Sequence, residues 1–284
     1  MTSSLPMTWV NGTPSTLIDV SDRGLAYGDG VFETMRIVYD AEQQQVVVPL
    51  LEWHLKRFSE GVKRLKLGSV DELCIRFKKS LSSALNSIAH DAVCKIIVTR
   101  GSGGRGYTPA ENVEIHMITQ LLTAPEYPNY YGSEGVAVKC CTHRLPSQSA
   151  LAGIKHLNRL DQVLASQELG AEQEGLLFDQ DDNLIEGIKS NVLVFSGAEV
   201  FTPSIIACGV RGTLRDFLIS NSQTLGIQIS ERIIDRKMLA QSDGLAMINS
   251  VLGIWPVREL DGQKFEIHPN CNVIGDYLKQ QLSY

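Results

Sequence analysis

Residues 122–132 interrupt every periodicity in this chain of 284 residues. Pro125 and Pro128 sit among Tyr127, Tyr130 and Tyr131, and two such closely spaced prolines can continue neither a helix nor a central strand. A chain of this length exceeds the usual size of a single core. The break therefore predicts two domains, 1–121 and 133–284, with 122–132 as the linker between them.

The first part reads as α+β. Thr8, Trp9 and Val10 before Asn11-Gly12 suggest a hairpin turn, and strands are expected at 31–38 and 45–48. Leu51, Leu55, Phe58, Val62 and Leu65 make one helical stripe, and Leu73, Phe77, Leu81, Leu85 and Ile88 a second. Strands at 93–99 and 113–119 complete the unit. Beyond the break, strands are expected at 136–141, 227–230 and 245–249, with hairpins turning at Asp181-Asp182-Asn183 and Ser196-Gly197. Helices are expected at 213–225 and around 273–282.

Charge and cysteine usage narrow the function classes. The net charge of −6 gives no basic field for nucleic acid or an anionic membrane. No apolar run approaches the ~20 residues of a membrane helix, and residues 1–6 lack the pattern of a secretory leader, so a cytoplasmic location is expected. The six cysteines form no C-x-x-C pair and the six histidines no H-E-x-x-H. Buried free thiols and no metal site are therefore expected.

The chemistry-bearing feature is Lys155. It follows Ala152-Gly153 and precedes apolar residues at Leu157, Leu160, Val163, Leu164 and Leu169, which predict an amphipathic helix ending at Gly170. A lysine at such a junction, with its amine aimed inward, can form a Schiff base, although a solvated surface lysine is the ordinary reading. Further on, Glu186 stands against Gly187 and runs into the apolar segment Val192, Leu193, Val194, Phe195. A lysine together with a carboxylate for a pyridinium nitrogen is what a protein contributes to pyridoxal phosphate chemistry.

Four motifs, SDRGLAYGDGVFET at 21–34, RGSGGRGY at 100–107, KHLNRLDQVLA at 155–165 and EGIKSNVLVF at 186–195, together resemble the fold-type IV pyridoxal phosphate enzymes. The resemblance covers nearly the whole chain in the expected order, and the second and third motifs are most similar to the aminodeoxychorismate lyase branch. It implies a two-domain α+β fold, with a small N-terminal domain, a larger β-rich one and pyridoxal 5'-phosphate between them. It also implies a small-molecule substrate and a homodimer in which one subunit borders the other's pocket.

Residue by residue, the resemblance makes Lys155 the Schiff-base lysine and Glu186 the partner of the ring nitrogen. Arg57, by itself an ordinary ion-paired helix arginine, matches the arginine that holds the cofactor phosphate. Val210, Arg211 and Thr213 precede a helix whose N-terminus is an anion site or simply a capped turn, and Ser250 matches a further phosphate-contacting segment. Arg159 follows the lyase pattern and lines the pocket, or pairs with Asp161. Residues 101–106 satisfy G-x-G-x-x-G, but a strand follows where a dinucleotide site needs a helix. Arg105 in this glycine-rich hairpin is placed to reach a carboxylate bidentately, a purely structural hairpin being the alternative.

Phe32 stands where D-amino acid aminotransferases carry tyrosine, and Lys189 replaces a glycine of branched-chain aminotransferases. Glu33, by contrast, is shared with the D-amino acid enzymes. The expected reaction is the conversion of 4-amino-4-deoxychorismate to 4-aminobenzoate and pyruvate, a step towards folate. Two rivals are an aminotransferase for D-amino or branched-chain amino acids, and a non-enzymatic binding domain in which Lys155 and Glu186 are unrelated surface charges.

Overall fold

The computed structural model describes residues 7–86 and 88–282 and divides them into two compact units. Residues 1–6, read above for a leader, lie outside the described residues. One unit takes Met1–Pro125 together with Ile154–Asn158, and the other takes Glu126–Gly153 and Arg159–Tyr284. The short segment around Lys155 thus groups with the N-terminal part of the chain.

In the first unit the elements are β1 (Met7–Val10), β2 (Thr13–Pro14), α1 (Arg23–Tyr27), β3 (Gly30–Asp40), β4 (Gln45–Val47), α2 (Leu51–Leu65), α3 (Val70–Leu85), β5 (Ala92–Thr99) and β6 (His116–Thr123). Asn11 and Gly12, both at positive φ, turn β1 into β2 as an Asn-Gly pair is suited to do. The strands form an antiparallel sheet in the order β2-β1-β6-β5-β3-β4. Alternation along β3 buries Val31, Glu33, Met35 and Ile37. The apolar members of this set join the core made by α2 and α3, where the Phe58 and Phe77 rings meet at 4.8 Å.

One edge of β3 is divided between two partners. Its C-terminal half pairs with β4, and its N-terminal half with residues 155–157: Phe32 donates its amide to the Lys155 carbonyl at 2.9 Å, and Leu157 donates to the Gly30 carbonyl at 3.0 Å.

The second unit runs through α4 (Tyr130–Ser133), β7 (Val136–Arg144), α5 (Leu160–Ser166), β8 (Glu174–Phe178), β9 (Leu184–Gly187), β10 (Asn191–Ser196), β11 (Glu199–Pro203), α6 (Thr213–Ser220), α7 (Ser222–Leu225), β12 (Ile229–Arg232), α8 (Arg236–Ala240), β13 (Gly244–Asn249), β14 (Gly253–Leu260), β15 (Gln263–Lys264) and α9 (Pro269–Leu282). The sheet order is β12-β11-β10-β13-β14-β7-β8-β9, with β15 beside β14. The sheet is mixed: β12 on β11, β14 on β7 and β7 on β8 are parallel, and the other pairings are antiparallel. Its core includes Val138, Leu176, Val194, Met247 and Trp255. Among the described residues no helix is long and apolar enough to cross a membrane.

Several local expectations are corrected. Strand β6 begins at His116 and runs to Thr123, and Tyr130–Ser133 is a helical turn, so the proline-bearing break carries ordered structure at both ends. The expected helix at 213–225 is broken at Asn221 into α6 and α7. Strand β14 was not among the expected elements, and it carries Pro256. It is accommodated beside a register shift between Val257 and Glu259. The helix after the lysine starts only at Leu160, and its apolar stripe is exposed: Leu160 by 74%, Val163 by 47% and Leu164 by 49%.

Candidate active site

Lys155 lies on extended backbone rather than at a helix start, held by the β3 edge. Its Nζ stands 4.6 Å from the centroid of the Phe32 ring, which also carries the Lys95 ammonium at 5.2 Å. The flanking residues fix this placement. Ile154 is buried, and Asn158 packs on Gly28, where a Cβ would come within 2.5 Å of Asn158 Oδ1 and where φ is +65°. Only glycine satisfies both conditions there.

Inward-facing Glu33 is a carboxylate in an otherwise apolar row, and α2 supplies its partners from successive turns. Both Arg57 Nε (2.9 Å) and Arg57 Nη2 (2.5 Å) donate to it, and His54 Nδ1 lies 2.6 Å from its Oε2. Glu33 is 1% exposed and His54 0%. Burial alone would raise the Glu33 pKa, but the Arg57 charge and the hydrogen bonds from Arg57 and His54 outweigh it and hold the group at about 2. His54 is pushed below its ordinary range by burial, with the Glu33 hydrogen bond opposing the shift. Neutral His54 therefore donates from Nδ1 to an anion.

In the second unit, Glu186 is buried. Its Oε2 accepts the Val210 amide at 2.8 Å, and its Oε1 accepts from Gln162 Nε2 at 3.1 Å. Asn191 donates to the Val210 carbonyl at 2.9 Å, and a Cβ on Gly212 would fall 1.9 Å from Asn191 Oδ1. The Arg211 amide donates to the Gly153 carbonyl, and the Gly153 amide to the Gly209 carbonyl. The amides of Val210 and Arg211 thus meet partners within the chain. The first turn of α6, from Thr213 onward, presents further donors, since Gly212 supplies no side-chain cap. The Arg211 side chain reaches Asp216 and Glu231, and the buried Arg215 beneath it bonds Asp216, the Pro203 carbonyl and Glu231.

The glycine-rich segment is a hairpin-like loop, with Arg105 bridged to Thr108 and exposed. Its anchor is Arg23, a buried residue that sequence reading missed. Arg23 donates to the carbonyls of Gly106 (3.0 Å) and Tyr107 (2.7 Å) and to Asp29 (3.0 Å). Asp22, fully buried, accepts from Thr99, His116 and the Gly24 amide. Ser250 lies in the tight turn between β13 and β14, which Asn249 Oδ1 organises by accepting the amides of Val251 and Leu252. Arg159 sits at the N-terminal boundary of α5, while the carboxylate of Asp161 is taken by His143 Nε2 at 2.8 Å.

The sequence profile of the amino-transferase class IV family matches residues 30–260. The chain belongs to this family. It is 30% identical over 270 residues to the aminodeoxychorismate lyase of Vibrio harveyi, covering 92% of this chain and 94% of that one. It is 28% identical to a putative branched-chain-amino-acid aminotransferase of Methanocaldococcus jannaschii, covering 93% of this chain and 88% of the other. The crystal structure of 4-amino-4-deoxychorismate lyase from Pseudomonas aeruginosa superposes with a TM-score of 0.89 at 36% identity, covering 98% of this chain and 100% of that one. The fold is the two-domain α+β arrangement of fold-type IV.

Within this class IV chain the sequence could have revealed one more group. Glu33 occupies an inward position between Val31 and Met35, and His54 and Arg57 share a helix face at i and i+3. Gln162, Asn191, Asp22 and Arg23 carry no comparable sequence signal, because their partners are distant in the chain.

Proposed function

We propose that this protein is a pyridoxal phosphate-dependent lyase that converts 4-amino-4-deoxychorismate to 4-aminobenzoate and pyruvate, a step towards folate. The observation that carries the reading is the full-length likeness to the Pseudomonas aeruginosa lyase at 36% identity.

The residues present fit the cofactor. The buried Glu186 carboxyl group accepts from two donors, the α6 N-terminus lacks a side-chain cap, and the Gly212–Asn191 approach admits no side chain. Lys155 would link to the cofactor and Glu186 would hold its ring nitrogen protonated. Arg57, Thr213 and Ser250, with Val210 and Arg211 shaping the turn, would hold its phosphate. Arg105, Arg159 and Phe32 would border the substrate. Once bound, pyridoxal phosphate supplies the electron sink that lets a carbon–hydrogen bond next to nitrogen ionise. As a free amine, Lys155 Nζ would remove the proton from the ring carbon bearing that nitrogen. The Lys155 ammonium so formed would return that proton to the departing enolpyruvate, giving pyruvate, while the ring becomes aromatic.

Aminotransfer is the second reading, favoured by the Methanocaldococcus jannaschii relative. Product analysis separates the two. The lyase reading expects 4-aminobenzoate and pyruvate from aminodeoxychorismate; keto acid from D-alanine or L-leucine, without 4-aminobenzoate, would replace it with the second. The protein would work in the cytoplasm, which suits its free thiols. It would pair as a homodimer, which suits the exposed Leu17, Val20, Leu25 and Tyr107. Sedimentation velocity tests the pairing.

A further inference from the structure

Glu33 poses an electrostatic problem within this reading. A carboxylate against the arginine assigned to the cofactor phosphate cancels much of the charge that would attract that phosphate. If attraction were all that mattered, a neutral residue would serve better. What the carboxylate adds is direction. Arginine brings a flexible stem and a planar fork of five donors, and it binds anions well only when the fork is held at one angle. Glu33 takes the edge formed by Nε and Nη2 with both of its oxygens. That pairing fixes the plane of the guanidinium and directs its Nη1 side away from Glu33.

His54 completes the device. Its Nδ1 bonds the same Oε2 that receives Arg57 Nη2, and its Nε2 is buried with no hydrogen-bond partner. An orphaned buried acceptor costs stability, so packing alone would favour an apolar residue at this position. The return is a second, neutral donor that stops the Glu33 carboxylate from rotating, without competing with Arg57 for its charge. We propose that Glu33 and His54 are positioning residues that fix which edge of the Arg57 guanidinium faces the cofactor phosphate. The inference deepens the proposed function and rests on it.

The test compares two ligands that differ only in the phosphate. Binding of pyridoxal phosphate and of pyridoxal to the cofactor-stripped full chain is measured by absorbance and tryptophan fluorescence. Wild type is expected to prefer the phosphorylated form. In Glu33→Gln the ratio of the two Kd values should fall by about 10–100-fold while pyridoxal binding changes by less than about 2-fold. His54→Asn, which keeps a donor close to the position of Nδ1, should retain the wild-type ratio, and His54→Leu should lower it. A purely structural role for the pair would weaken both ligands together, and that result overturns the inference. So does an unchanged ratio in Glu33→Gln. Should Glu33→Gln fail to fold by circular dichroism, His54→Leu decides, an unchanged ratio again overturning it. If wild type itself binds no pyridoxal phosphate, the proposed function beneath the inference falls as well, which separates the two failures.

Discussion

Lys155 and Phe32 are joined twice: the lysine carbonyl accepts the phenylalanine amide at 2.9 Å, and the lysine ammonium stands 4.6 Å from the centre of the same residue's ring. Backbone pairing sets where the lysine begins, and the ring sets where its amine ends. Phe32→Leu keeps the first contact and removes the second. A cation–π contact at a partly exposed site is worth ~0.5–1 kcal/mol, so kcat/KM for aminodeoxychorismate should fall by about 2–5-fold. Steady-state kinetics read this directly, and wild-type rates would show that the ring does not place the amine.

Lys155→Ala should leave a folded protein with almost no turnover and no cofactor fixed by borohydride reduction. Mass spectrometry of the reduced protein is the check. A cofactor adduct retained on another lysine would remove Lys155 from its role.

Glu186→Ala removes the acceptor of both the Val210 amide and Gln162. Breaking one side of a buried charge pair costs roughly 3–5 kcal/mol, which at the transition state slows turnover by ~10²–10³-fold. Cofactor should still bind, as seen by absorbance. Near-wild-type activity would mean that another group holds the ring nitrogen protonated.

Arg105→Ala should lower kcat/KM for the doubly anionic substrate by about 10–100-fold, the worth of a charge-assisted hydrogen bond of ~1.5–3 kcal/mol. Cofactor absorbance should be unaffected. Because Arg23 anchors the loop through the carbonyls of Gly106 and Tyr107, the truncation should not release it. Cofactor loss, or full lyase activity, would assign Arg105 to the scaffold.

Glu174 is buried, and burial raises its pKa above the ordinary 4.5, with the Lys189 charge opposing. A raised folded-state value means that the folded state holds its proton more tightly than the unfolded one. Stability from this group is therefore present at low pH and is lost as pH rises through the folded-state pKa. Glu174→Gln imitates the protonated form. Its Tm should match wild type below about pH 4 and exceed it at pH 8; equal Tm values at both would show that the carboxylate is ionised without cost.

The β3 alternation and the two stripes of α2 and α3 were legible because each element buries one face within its own unit, and period then reports structure. The apolar residues after Lys155 misled for the opposite reason. Leu160, Val163 and Leu164 have helical spacing but stand exposed, outside the core clusters of the described residues, so the period overstated the helix. Lys155 and Glu186 stood out through local context. Arg23, Gln162 and Asn191 did not, since each acts on a carbonyl or carboxylate that the fold alone brings near.

The divided edge of β3 has a consequence for how the protein is made. Residues 154–158 are the last part of their unit to leave the ribosome, some 30 residues after Pro125. Until they arrive, the N-terminal half of β3 offers unpaired amides and carbonyls beside an apolar face, the kind of edge that recruits other chains. The segment that carries Lys155 is therefore also the one that closes the sheet, so a nascent chain halted before it would be prone to aggregate.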